Sequence, residues 1–175
     1  MELKSSTTVN SKMEVVNFKT LSKDSFAELV QKNKASLYRL SKSILKNEAD
    51  VQEAISETIL KAYMNIHKLK LMDSFKPWIM KILVNECYNI IKKHKKVELT
   101  DDFTAFEGSY EEKTEDSLMF YVNQLEDEFK SVIILYYYDD ISIKDISKIL
   151  NIAEGTVKSR LSRAKGKLKA MMENN

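Results

Sequence analysis

The sequence predicts an all-α protein made of two small helical domains. Three observations predict it. The 175 residues hold only 3 Gly and 1 Pro, too few turn formers for a chain of many short strands. Apolar residues recur every three or four positions through two stretches, 25–96 and 117–170, the spacing of amphipathic helices. Between them, residues 97–116 carry eight acids against a single lysine and show little periodicity, so they read as an acidic flexible linker.

Residues 1–24 are polar and weakly periodic and read as a mobile tail. Asp24 or Ser25 is placed to cap a helix that starts at Phe26 and carries Leu29, Val30, Leu37, Leu40 and Ile44 on one face. After a polar break at residues 47–50, a second stripe runs through Ala54, Ile55, Ile59, Ala62, Tyr63 and Ile66. Residues 67–74 connect it to a third, with Phe75, Trp78, Ile79, Ile82, Leu83 and the Ile90–Ile91 pair. Pro77 suits the first turn of that helix, where a missing N–H leaves no bond unmade. Trp78 and Cys87 fall on the buried side. In the second domain, Val122, Leu125, Phe129, Val132, Ile133 and Tyr136 form one stripe. A shorter helix follows with Ile143, Ile146, Ile149 and Leu150, capped by Ser142. After a tight break at residues 151–153, Val157, Leu161, Ala164 and Leu168 line the last helix. Residues 171–175 are a tail.

Composition excludes several classes. One cysteine, Cys87, rules out an internal disulfide and any cysteine-based zinc site. His67 and His94 lie far apart on basic segments and give no metal spacing, so no metal or cofactor is expected. No phosphate loop or Ser/His/Asp arrangement appears, and no catalytic activity is expected. No apolar run reaches the roughly 18–20 residues of a membrane span, and the N-terminus lacks the apolar stretch of a signal peptide. A cytoplasmic chain that does not insert into membranes is the expectation.

The net charge of +2 hides a pattern. Residues 68–96 hold eight lysines against two acids, and residues 144–169 hold eight basic residues against two acids. Two cationic segments of this kind attract phosphate backbones even when the whole chain is nearly neutral. The second segment, SIKDISKILNIAEGTVKSRLSRAKGKLK at residues 142–169, reads as a helix-turn-helix: a short amphipathic helix, a tight turn and a longer basic helix. With Val157, Leu161 and Leu168 turned inward, Lys158, Ser159, Ser162, Arg163 and Lys165 face outward. Such a helix can enter a major groove, with cations for phosphates and small hydroxyls for base edges.

The run GTVKSRLSRAK at residues 155–165, following DISKILNI, resembles the promoter-reading helix-turn-helix of bacterial RNA polymerase sigma factors. EAISETILKAY at residues 53–63 is similar to that family's core-polymerase-binding helix, and FKPWIMKILVNECYNIIKK at residues 75–93 to its minus-ten-reading segment. The presence of these two domains alone resembles the extracytoplasmic-function (ECF) group. A dimeric operator-binding regulator would account for the C-terminal motif but not for the first domain.

The resemblance implies a division of labour. Residues 25–96 correspond to sigma region 2 and residues 117–170 to region 4. Glu53, Ile55, Ser56, Glu57 and Leu60 would dock on a coiled coil of the beta-prime subunit, while the beta flap would hold the other domain. Leu69, with the rest of residues 69–74, and Asn85 would capture an unstacked minus-ten base, and Lys76, Lys81, Lys92 and Lys93 would hold phosphates. Lys158, Ser159, Ser162 and Arg163 would read the minus-thirty-five element, with Thr156 and Arg160 on its phosphates. Ala153 stands where the family often has a capping serine. The implied partners are core RNA polymerase, promoter DNA and an anti-sigma factor of a class often membrane-anchored. The implied output is a stress or envelope-response regulon.

Overall fold

The computed structural model describes residues 21–71, 74–98 and 117–173. Most of the N-terminal tail, residues 99–116 of the acidic linker and residues 72–73 of the 67–74 connection therefore lie outside the described residues. Among the described residues the structure is helical throughout, without strands.

The first helix, α1 (Lys23–Ile44), begins earlier than the sequence suggests. Ser22 is extended, and its hydroxyl accepts from the Ser25 N–H at 3.1 Å. Asp24 and Ser25, the expected caps, are already inside the first turn, where Asp24 still favours the helix dipole. Asn47 caps α2 (Glu48–Asn65) by accepting from the Ala49 N–H at 2.8 Å, so most of the anticipated polar break is helix. A 3₁₀ turn (Ile66–Lys68) follows. The third helix, α3 (Phe75–Glu98), has Pro77 in its first turn as expected and runs two residues past 96. These three helices enclose Leu37, Leu40, Val51, Ala54, Ala62, Phe75, Ile79, Leu83 and Cys87, all at most 2% exposed.

In the second half the expected single stripe from 122 to 136 is broken. The chain forms α4 (Ser117–Asn123), a turn, α5 (Asp127–Ile133) and a π-helical turn (Ile134–Tyr138) closed by the Asp139 N–H donating to the Ile134 carbonyl. The wider turn inserts an extra residue into the helical register. Ile134 and Leu135 stay buried, whereas Tyr136, expected in the core, is 37% exposed. The helix-turn-helix then forms as anticipated. Ser142 caps α6 (Ile143–Leu150) by accepting from the Asp145 N–H. Asn151 turns the chain in the left-handed region at φ 54°, and α7 (Glu154–Glu173) buries Val157, Leu161, Ala164 and Leu168.

The two halves pack on each other. α3 lies against α6, and α1 against α5 and the π turn. One apolar cluster runs through both, with polar bonds at its edge, including Ser43 and Ser131, whose hydroxyl oxygens are 3.4 Å apart.

Candidate nucleic-acid interface

α7 presents the cationic face read from the sequence. Lys158, Ser159, Ser162, Arg163 and Lys165 are exposed, and Thr156 and Arg160 are half-buried. The buried line Val157–Leu161–Ala164–Leu168 fixes this rotation, because it repeats at four, three and four residues. Not every cation is equally available. The Arg160 guanidinium lies 2.7 Å from the Glu128 carboxylate. Lys167 meets Glu126 at 2.5 Å, and that bond holds the Glu126 carboxyl below its ordinary value. Lys165 sits 5.4 Å over the Tyr137 ring, and its bond to the Tyr137 hydroxyl raises its own pKa. Among the described residues Lys158 and Arg163 make no ion pair, which leaves them unengaged on the exposed face.

A second site lies between α2 and α3. Asn85, exposed on α3, lines a groove of about 340 Å³ with Trp78, Ile82 and Glu86 of its own helix and Lys61, Asn65 and Lys68 from α2 and the following turn. Polar bonds order its rim. Lys61 reaches Glu86 at 2.5 Å, the Asn65 amide donates to the Lys61 carbonyl at 2.8 Å, and Lys68 donates to the Asn65 side-chain oxygen at 2.6 Å. Trp78 is half-buried rather than core: its ring packs 6.0 Å from Phe75 and also walls the groove. The arrangement offers an aromatic surface, amides that can donate and accept, and cations at the mouth, the chemistry an unstacked base requires. Leu69 is half-buried beyond the 3₁₀ turn. Lys81, Lys92 and Lys93 are exposed along α3. Lys76 is not with them: its ammonium donates to the Asp139 main-chain carbonyl at 2.8 Å, between the two halves of the molecule.

A third surface is the outer face of α2. Glu53, Ser56, Glu57 and Leu60 are exposed and Ile55 is half-buried. Their spacing places Glu53, Ser56, Glu57, Leu60 and Met64 on one side of the helix. Leu60 and Met64 are 53% and 65% exposed, and neighbouring Tyr63 is 43% exposed. Acids beside uncovered apolar side chains make a surface suited to a basic, partly apolar partner.

Comparison with known proteins identifies the family. Residues 29–97 match the family described as Sigma-70 region 2, and residues 115–168 match Sigma-70, region 4. The ECF RNA polymerase sigma factor SigM of Bacillus subtilis is 30% identical over 152 residues, which is 82% of this chain and 93% of that protein. The chain belongs to the ECF group of RNA polymerase sigma factors. The RNA polymerase sigma factor SigV of Bacillus subtilis is also 30% identical, over 75% of this chain and 81% of its own. Among solved structures, the sigma factor RpoE, in its co-crystal structure with the anti-sigma factor NepR from Bartonella quintana, shares the fold. Its TM-score is 0.74 at 23% identity, over 87% of this chain and 98% of that one. As an ECF sigma factor the protein initiates transcription and is not itself an enzyme. Sigma factors of this family bind core polymerase and promoter DNA. Among the described residues no helix is long and apolar enough to cross a membrane.

Sequence reasoning did not single out Met64, Lys61, Asn65, Lys68 or Tyr88. Met64 had a local signal, an apolar residue four after Leu60 on the polar side of the helix. Tyr88, 46% exposed between Asn85 and Lys92, had a similar one. The groove residues on α2 had none, because only the packing of α2 on α3 brings them to Asn85.

Proposed function

We propose that this sigma factor reads its promoter with two separate surfaces and docks on polymerase with a third. Lys158, Ser159, Ser162 and Arg163 meet minus-thirty-five bases, with Thr156 and Arg160 on the adjoining phosphates. The N-terminal end of α7 adds its dipole toward one of them. Asn85, with Leu69 and the walls of the α2–α3 groove, takes up an extruded minus-ten base, while Lys76, Lys81, Lys92 and Lys93 hold the strand. Favouring an opened base step in this way melts the duplex without ATP. Glu53, Ile55, Ser56, Glu57 and Leu60 engage the beta-prime coiled coil, and the beta flap takes the second domain. Each DNA surface binds weakly alone, and tethering on polymerase makes the second contact effectively intramolecular.

The observation that carries this reading is the exposed Lys158–Arg163 face of α7, rigidly set by its buried opposite side. In the proposed cellular setting the protein works in the cytoplasm, serves a stress or envelope-response regulon, and is restrained by an anti-sigma factor. The RpoE–NepR co-crystal structure supports the last point by fold. Run-off transcription with core polymerase on a genomic promoter library tests the reading. Specific starts are expected with the wild-type chain, and Arg163→Ala should abolish them or relax the preference at one minus-thirty-five position. Starts indistinguishable from those of core polymerase alone would overturn it.

A further inference from the structure

Asp139 follows the π turn at the boundary between the two halves and is 2% exposed. Its Oδ1 accepts from the Ser36 hydroxyl and lies 3.3 Å from both the Arg39 guanidinium and the Lys76 ammonium. Lys76 also donates to the Asp139 main-chain carbonyl at 2.8 Å. Arg39 in turn stacks 5.2 Å from the Tyr138 ring centre. A residue of the promoter-reading half is therefore gripped by α1 and α3 of the polymerase-docking half. Oδ2 has no hydrogen-bond partner among the described residues.

This closed arrangement cannot serve a promoter. The two elements lie about 25 base pairs apart, or about 85 Å of duplex. A compact chain of 175 residues has a radius of gyration of about 16 Å, hence a diameter of about 40 Å. The halves must separate for both surfaces to touch DNA, and the 18 residues between α3 and α4 have a contour of about 60 Å to permit it. Closure also occupies Lys76. We propose that Asp139, held by Ser36, Arg39 and Lys76, is an autoinhibitory clasp that keeps the free sigma factor closed until polymerase opens it. The proposal rests on the polymerase and promoter reading above. The unsatisfied Oδ2 keeps the clasp from being tight, since a buried carboxylate oxygen without a partner retains part of its desolvation penalty. A latch meant to open needs that small margin.

The full-length chain carrying Ser43→Cys and Ser131→Cys tests this directly, because those hydroxyls face each other across the same interface. Mild oxidation should join the two positions. The oxidised form should then bind core polymerase at least about tenfold more weakly than the reduced form, with reductant restoring binding. In parallel, Asp139→Asn should raise the radius of gyration of the free protein in small-angle X-ray scattering and tighten binding to core polymerase several-fold. Failure of the pair to close, with Asp139→Asn as compact as wild type, overturns the clasp. Equal binding by the oxidised and reduced forms overturns it as well. If the wild-type and reduced chains do not bind core polymerase at all, the functional reading itself falls, a result distinguishable from loss of the clasp alone.

Discussion

The Arg160 guanidinium of α7 lies 2.7 Å from the Glu128 carboxylate of α5, so a cation at the edge of the exposed face of α7 is neutralised within its own domain. Both partners are partly exposed, at 26% and 49% for their side chains, and such a pair contributes at most about 1 kcal/mol to stability. Its larger effect is on DNA. Glu128→Gln should free Arg160 for a phosphate, tighten polymerase-independent duplex binding a few-fold, and steepen the slope of log K against log salt by about 0.9. Fluorescence anisotropy between about 50 and 200 mM salt measures both. An unchanged slope would remove Arg160 from the set of phosphate ligands.

The start of α7 lacks a side-chain cap. Its first turn is closed by the Val157 N–H donating to the Ala153 carbonyl at 3.1 Å, and a methyl group cannot accept the N–H groups that remain. Ala153→Ser supplies the missing oxygen and should stabilise the protein by about 0.5–2 kcal/mol, read as a higher melting temperature. A lower melting temperature would mean that the helix begins elsewhere.

The other helix of the motif is capped in both directions. The Ser142 hydroxyl accepts from the Asp145 N–H at 3.1 Å and donates to the Asp145 carboxylate at 2.8 Å. Chiefly through that bond, with Lys148 assisting against desolvation, the Asp145 carboxyl sits below its ordinary 3.8. Glu48 sits below 4.5 chiefly through its hydrogen bonds to Lys42 and Gln52. A folded-state pKa that is depressed stabilises above the unfolded value and is lost as pH falls through the folded one. Thermal stability should therefore be level near neutrality and fall as pH drops below about 4.5. Ser142→Ala should cost about 0.5–2 kcal/mol at pH 7, move the Asp145 titration up toward 3.8, and cost less in acid, where the wild-type bond is already weakened. NMR titration of the carboxyl carbons, with melts at neutral and acid pH, checks each part.

What the sequence reveals here depends on how local the cause is. The buried line of α7 was legible because a helix packed on one side repeats its apolar residues at the helical period. The Ser142 cap was legible because its hydroxyl acts three residues away. Tyr136 was misplaced because the π turn adds a residue to the register, and no periodicity anticipates that insertion. The α1 cap was misassigned because Ser22, Asp24 and Ser25 all carry capping chemistry within four positions. Asp139 could not be read at all: beside Asp140 it resembles a solvated loop acid, and its partners Ser36 and Arg39 lie about a hundred residues earlier. The groove at Asn85 was half legible, since the α3 side follows from helical spacing and the α2 side depends on packing.

Cys87 is fully buried on α3, and burial pushes its thiol up to about 12. At pH 8 only about one thiol in ten thousand is then ionised, and the thiolate is the reactive form. The native protein should resist a thiol reagent such as dithionitrobenzoate and react at once on denaturation. Rapid modification of the folded chain would place Cys87 at the surface.

Leu60 and Met64 stand one turn apart on the outer face of α2, more than half exposed, beside Glu53 and Glu57. In the free protein an exposed apolar side chain contributes little, so Leu60→Asp and Met64→Asp should leave stability within about 0.5 kcal/mol of wild type. At a polymerase interface the same changes place a charge where apolar contact is needed. Each should then lower affinity for core polymerase by at least about tenfold, or 1.4 kcal/mol. Glu57→Lys should weaken binding for a different reason, repulsion from a basic coiled coil, and its deficit should shrink as salt rises. The apolar variants should lack that salt dependence. Surface plasmon resonance against immobilised core polymerase at two ionic strengths separates the effects. If all three variants bind like wild type, α2 is not the docking helix, whatever its resemblance.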